Sequence, residues 1–328
     1  MKIYGWGILN RKQDAPEKYP SFVWLNNCRD ITLDGLTLLG DAKGWCVTQR
    51  WCEALRYRNL KIVVTGPNTD GFDILSCRDV LLEDSFIRNL DDCVTLKAQP
   101  TQKGENFNTE NVTVKNCVFW ADLAQALEIG YETSCERIGD ILWQDIDVIH
   151  TYHNAAISIH NTGYAVVENI RYEDIRVEAF DPAFGASDLG EEPRLIVFCA
   201  GRSQYTAAGG SGRIRNVVFS GLTVSTKNGG NPLSVMRGMD TEHNIDGVTF
   251  RQFTIDGMPV SDALRANLTA VNAYHVSFDG KQSMLGFAAY SENFNYTQAG
   301  AGKLDAGEGA YEPLRRRADR FLRKNLCG

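Results

Sequence analysis

Three aspartates in two short polar turns are the residues of this chain best placed to do chemistry. The first turn reads Asn68-Thr69-Asp70-Gly71-Phe72-Asp73, and the second, one strand later, Leu90-Asp91-Asp92-Cys93. Adjacent carboxylates such as Asp91 and Asp92 repel one another when both are ionised, so one of them is a candidate for a raised pKa and a proton at working pH. Glycoside cleavage needs that combination: a protonated carboxyl for the leaving oxygen and an ionised one to activate water. Either motif alone reads more readily as a polar turn. The two together, set at a fixed spacing in a repeat, favour the chemical reading.

The repeat is what must position them. Similar pieces recur: Arg29-Asp30-Ile31-Thr32-Leu33, Arg78-Asp79-Val80-Leu81-Leu82, Glu110-Asn111-Val112-Thr113-Val114, Gly139-Asp140-Ile141-Leu142-Trp143, Glu168-Asn169-Ile170-Arg171-Tyr172, Arg215-Asn216-Val217-Val218-Phe219 and Asp246-Gly247-Val248-Thr249-Phe250. The step from Val80 to Val112 is 32 residues, from Val112 to Ile141 29, and from Ile141 to Ile170 29; the longer step from Ile31 to Val80 holds two turns with Leu55 between them. Periods in this range mean a solenoid. Short alternating strands rich in Val, Ile, Leu and Thr, broken by Asn, Asp and Gly, predict an all-β chain. The architecture that fits is a right-handed, single-stranded parallel β-helix of about eight to ten coils. Stacking then gives the motifs one address, with Asp70 and Asp92 on neighbouring rungs and Asp91 one residue earlier. Gln125, Glu128, His153 and His160 extend the same groove over the next two coils. Asp73 and Lys97, on the strands that follow the two turns, and Tyr131 complete the candidate substrate-binding set.

At 328 residues and 43% hydrophobic, the chain can bury a large core. Its net charge of −7 argues against nucleic acid or an anionic membrane surface as partner. No apolar run is long enough to span a bilayer as a helix, and no signal peptide is visible. The nine cysteines are an odd number without metal-type pairs, and several sit in or beside strands as small core residues; a disulfide or two stays open. The β-helix is expected over residues 1–290, followed by a mobile arm and a short basic tail helix over 291–328. Met1 opens in the middle of a coil pattern, so the N-terminus reads as truncated, or as an end covered by another chain in an oligomer. His150, His153 and His160 lack the carboxylate or cysteine spacing of a metal site. Trp45, Trp51 and Tyr131 could stack on sugar rings or fill the core. No phosphate loop, dinucleotide motif or nucleophile elbow is present, and no cofactor or metal is expected.

The motif Asn68-Thr69-Asp70-Gly71-Phe72-Asp73, with Asp91-Asp92-Cys93 following, resembles the two signature motifs of polygalacturonases. The resemblance implies that Asp70, Asp91 and Asp92 are catalytic, with Asp91 as general acid and the other two activating water. Polygalacturonases next carry Gly-His-Gly and Arg-Ile-Lys, where this chain reads Ala124-Gln125-Ala126 and Ala156-Ile157-Ser158. In that family the basic pair grips a uronate carboxylate. Trp120, Ala126-Leu127-Glu128-Ile129-Gly130-Tyr131 and Asp145-Ile146-Asp147-Val148-Ile149-His150 look more like the dextranase and isopullulanase family, which shares the β-helix and the acidic trio. That resemblance implies an inverting hydrolase of neutral α-linked glycans, secreted or periplasmic. The alternatives are a polygalacturonase-like pectin hydrolase, a polysaccharide lyase, or a non-catalytic carbohydrate-binding β-helix.

Overall fold

A computed structural model describes residues 1–11, 21–41, 44–66, 68–151, 155–180, 194–203, 212–226 and 230–285. His153 and the whole of 291–328 lie outside them. The described residues contain strands and no α-helix, and hence none long and apolar enough to cross a membrane.

The chain is a right-handed parallel β-helix. One nine-stranded sheet runs, in chain order, through Val23–Asn26, Val47–Arg50, Phe72–Leu75, Val94–Ala98, Leu127–Thr133, Ala155–Asn161, Arg194–Ala200, Leu233–Arg237 and Leu268–Val271. A second set of seventeen strands closes the other faces. Pairing is parallel between coils, and the two antiparallel contacts are small hairpins at the C-terminal end.

The repeat seen in the sequence is one ladder of aligned residues. Ile31 pairs with Leu55, Leu55 with Val80, Val80 with Val112, and the series continues through Ile141, Ile170, Val217 and Val248 to Val276. The residue before each turns a corner in the left-handed region: φ is 55° at Asp30, 57° at Asp79, 56° at Asn111, 57° at Asp140, 57° at Asn169 and 51° at Asn216. Asn and Asp tolerate that conformation better than other residues with a Cβ, which explains their recurrence at this position. Their side chains also bond from coil to coil, Asn111 Nδ2 donating to Asp79 Oδ1 and Asn169 Nδ2 to Asp140 Oδ1.

Inside, equivalent side chains stack. Trp143, Tyr172, Phe219, Phe250 and Phe278 form one column with near-parallel rings, the last four at centroid separations of 4.6, 4.8 and 4.8 Å. Each such pair contributes about 0.5–1.5 kcal/mol beyond its buried area. The eight described cysteines are free thiols, most of them buried, so no disulfide forms among them. At the first coil Tyr4, Trp6 and Ile8 are exposed.

Candidate active site

The two acidic turns enter consecutive strands of the nine-stranded sheet, and the backbone ties them into one unit. Asn89 Nδ2 donates to the carbonyls of Thr69, Asp91 and Asp92 at 2.6, 2.9 and 2.7 Å. Thr69 Oγ1 accepts from the Leu90 amide at 3.1 Å. Gly71 donates its N–H to the Asp92 carbonyl at 2.8 Å, and a Cβ there would lie 2.4 Å from the Cys93 carbonyl oxygen. The Asn-Thr-Asp-Gly sequence is therefore a fastening for the next turn as much as a source of carboxylate.

So fastened, Asp70, Asp91 and Asp92 converge, with one carboxylate oxygen from each lying within 4.8 Å of the others. Asp70 and Asp92 are buried and Asp91 is more open. Asp92 Oδ1 accepts from the Gln125 amide and Asp91 Oδ1 from the Asp92 amide, both at 3.1 Å. Gln125 thus reaches the cluster through its backbone.

Strand alternation sets what else faces the groove. Phe72, Ile74, Val94, Leu96, Leu127 and Ile129 point into the core. Asp73, Thr95, Glu128 and Ser158 are cross-strand neighbours on the outer face, and two positions on, the same face carries Lys97, His160, Cys199 and Arg237. Lys97 is buried, with Nζ 2.9 Å from Asp73, 3.5 Å from Asp70 and 3.6 Å from Glu132. The Trp45 ring covers it, Nζ lying 3.9 Å from the centroid. Glu128 is buried and accepts from Ser158 Oγ, while His160 Nδ1 lies 2.8 Å from Glu128 Oε1. Tyr131 stacks on His160 at 4.4 Å. Gly130 is required here, at φ 138°, because a Cβ would lie 2.3 Å from the His160 carbonyl oxygen. The predicted groove residues Glu128 and His160 are thus joined to each other beside the trio, whereas Tyr131 forms their cover.

Ser158, Glu132 and Asn89 have no place in the sequence-based set. Asn89 has a signal in its position just before Leu90-Asp91-Asp92. Ser158 and Glu132 look like ordinary strand polar residues. Lys97, a member of that set, sits against the trio, and Arg237 lies on the same face.

Burial raises every carboxyl of the cluster. It pushes Asp70 well above the usual range, helped by the charges of Asp73 and Asp91. It does the same to Asp92, helped by Asp91 and Glu128. Asp91 is also raised by burial, against the pull of Lys97 and of the Asp92 amide. Burial brings Asp73 to about 7 despite Lys97. The sequence reading kept the proton on Asp91 alone, whereas here the protons belong to the coupled group. A carboxyl raised on folding holds protons that the unfolded chain has released, so stability falls as pH rises from about 4 towards and past 7. The carboxyls lowered on folding, Asp140, Asp240, Asp256 and Asp262, act at pH values below that window. Thermal melts are expected to be higher near pH 5 than near pH 8, with Asp92→Asn narrowing the gap. A gap unchanged in that variant would contradict the shift.

Comparisons with known proteins bear on the family of this chain. The model of glycosyl hydrolases family 28 matches residues 6–183. The protein described as "Probable endopolygalacturonase D" of Emericella nidulans is 26% identical over 179 residues, covering 48% of this chain and 32% of that protein. The "Probable endo-xylogalacturonan hydrolase A" of Aspergillus fumigatus is 23% identical over 224 residues, covering 64% of this chain and 49% of that protein. The chain spans roughly a third to a half of the length of these curated relatives. Among solved structures, an exopolygalacturonase from Thermotoga maritima superposes with a TM-score of 0.59 at 20% identity, covering 82% of this chain and 58% of that one, a likeness of fold. The dextranase side of the resemblance finds no support among these relatives, which correct it towards polygalacturonases. The motif-bearing coils, the converging aspartates and the family match over more than half its length make this chain a member of glycosyl hydrolases family 28.

Proposed function

We propose that this β-helix is the catalytic unit of a hydrolase that cleaves the glycosidic bonds of a uronate-containing polysaccharide of the polygalacturonan type. The observation that carries the reading is the convergence of Asp70, Asp91 and Asp92 beside the buried ammonium of Lys97. In this scheme Asp91, the most open of the three, protonates the leaving oxygen. Asp70 and Asp92 position a water and take its proton. Such a reaction is an inverting, single-displacement hydrolysis with no metal step, because carboxylates supply both the acid and the base.

An acidic glycan is preferred over the neutral one that the missing Arg-Ile-Lys suggested. Arg237 places a cation on the groove face beside the acidic cluster, and relatives are named for polygalacturonan and xylogalacturonan. A polymer of that kind is met outside the cytoplasm, which goes with a secreted or periplasmic protein. Reducing-sugar release tests the reading on polygalacturonate, methyl-esterified pectin, dextran and pullulan, each with and without EDTA. Polygalacturonate should be cleaved, the neutral polymers left intact, and the chelator should change nothing. Activity confined to dextran or pullulan would reverse the substrate assignment, and loss of activity with EDTA would reverse the metal-free scheme.

A further inference from the structure

On the outer face of the same sheet, towards its N-terminal end, Arg50 lies against two indoles. Its Cζ is 5.4 Å from the Trp24 ring centroid and 5.7 Å from that of Trp45. Trp45 in turn covers Lys97, so aromatic and cationic groups alternate from Trp24 to the catalytic cluster. Register supports a continuous surface. Trp24 pairs with Thr48 and Thr48 with Asp73, while Asn26 pairs with Arg50 and Arg50 with Leu75, which neighbours Lys97. Adjacent strands stand about 4.8 Å apart, so Trp24 is roughly 10 Å along the groove from the rung of Asp73.

Two features of this group point to a ligand. Trp24 is 50% exposed, an unusual setting for so large an apolar surface. Arg50 Nε is buried without a hydrogen-bond partner among the described residues. A guanidinium packed against indoles still has its edge N–H groups for hydrogen bonding, and that planar fork matches a carboxylate. An indole beside it offers a flat surface for the C–H face of a pyranose ring.

We propose that Trp24, Arg50 and Trp45 form a distal subsite that binds a uronate unit of the glycan, two rungs from the bond that is cleaved. Trp24 stacks on the ring and Arg50 takes its carboxylate. The proposal rests on the acidic-glycan reading above, and it adds where chain length is sensed.

Trp24→Ala and Arg50→Gln test it on galacturonate oligomers of two to six units. KM for the hexamer should rise about tenfold, equivalent to about 1.4 kcal/mol, with kcat held and the shortest cleaved oligomer unaffected. Arg50→Lys, which keeps the charge and loses the fork, should behave like Arg50→Gln. Thermal melts confirm that each variant is folded. Calorimetric binding of the hexamer reads the same site without turnover: weaker binding in the variants supports the subsite. Wild-type affinity in the variants, or no hexamer binding by the wild type, overturns it. A wild type that binds the hexamer with this dependence on Trp24 and Arg50 but hydrolyses nothing would count against the catalytic reading alone. Hydrolysis with KM unchanged at every length in the variants would count against the subsite alone.

Discussion

Asp91→Asn is expected to lower kcat about 10²–10⁴-fold on whichever glycan the wild type cleaves, with the fold intact. The amide keeps the size of the carboxyl and can still accept from the Asp92 amide, as Asp91 Oδ1 does now at 3.1 Å. What it cannot do is deliver a proton to a leaving oxygen. Asp70→Asn and Asp92→Asn should be impaired on the same scale, because in the proposed scheme each removes one of the two groups that hold and deprotonate water. The spacing of the trio bears on the stereochemistry. An acid and a base acting across a sugar with water between them stand about 6.5–9.5 Å apart, and a nucleophile pair about 5–5.5 Å. Here three oxygens lie within 4.8 Å, tighter than either figure. That rule describes two carboxyls, whereas this cluster has three. Asp70 and Asp92 must be close to one another if both are to hold a single water. NMR of the first-formed product decides the matter: the anomer opposite to the bond cleaved supports the scheme. The same anomer, with a glycosyl ester trapped on Asp70 or Asp92, rules it out. Full activity in Asp91→Asn would remove the acid assignment.

Much of the scaffold is legible because a β-helix repeats its local rules. Each coil needs an aliphatic residue on the ladder and a residue tolerant of positive φ before it, so Asp79-Val80, Asn111-Val112 and Asn169-Ile170 announce themselves in the sequence. The trio was legible too, since stacking brings residues about one period apart onto adjacent rungs. What escaped was anything built across rungs without a repeated motif. Lys97 is legible as a single groove residue, but its partners are not. Only the register shows that it meets Asp73 from the coil before it and Trp45 from the coil before that. Glu128 was readable as a groove residue, but its partners Ser158 and His160 are thirty or more residues away, and nothing local marks the three as a bonded group. The dextranase-like Ala126–Tyr131 element has a geometric source as well. Gly130 stands where the strand comes so close to His160 that a side chain cannot fit, a demand of the coil as much as of any substrate.

Lys97→Met should be the most disruptive single change to stability at the site, and its cost should depend on pH. The ammonium is buried among Asp73, Asp70 and Glu132 at 2.9–3.6 Å. Removing one partner of a buried ion pair costs about 3–5 kcal/mol, because the carboxylates left behind are desolvated and unpaired. They can escape part of that cost by taking up protons. Lys97 opposes burial at Asp73, whose pKa nonetheless reaches about 7, so without the lysine the carboxyl rises further. The sign follows from proton counting. A more strongly raised folded pKa means more protons held in the folded state over the unfolded one, and hence a steeper fall in stability as pH rises above about 4. Near pH 4.5 Asp73 and Asp70 hold protons in both proteins and the variant should lie closest to wild type. Near pH 8 the wild type retains its ion pairs and the difference should be largest. Residual activity should shift to higher pH as well, since Asp70 loses the charge that favours its ionised form. Urea unfolding at the two pH values checks the first expectation and a pH–rate profile the second. A cost equal at both pH values would mean that Lys97 acts through packing under Trp45 rather than through its charge.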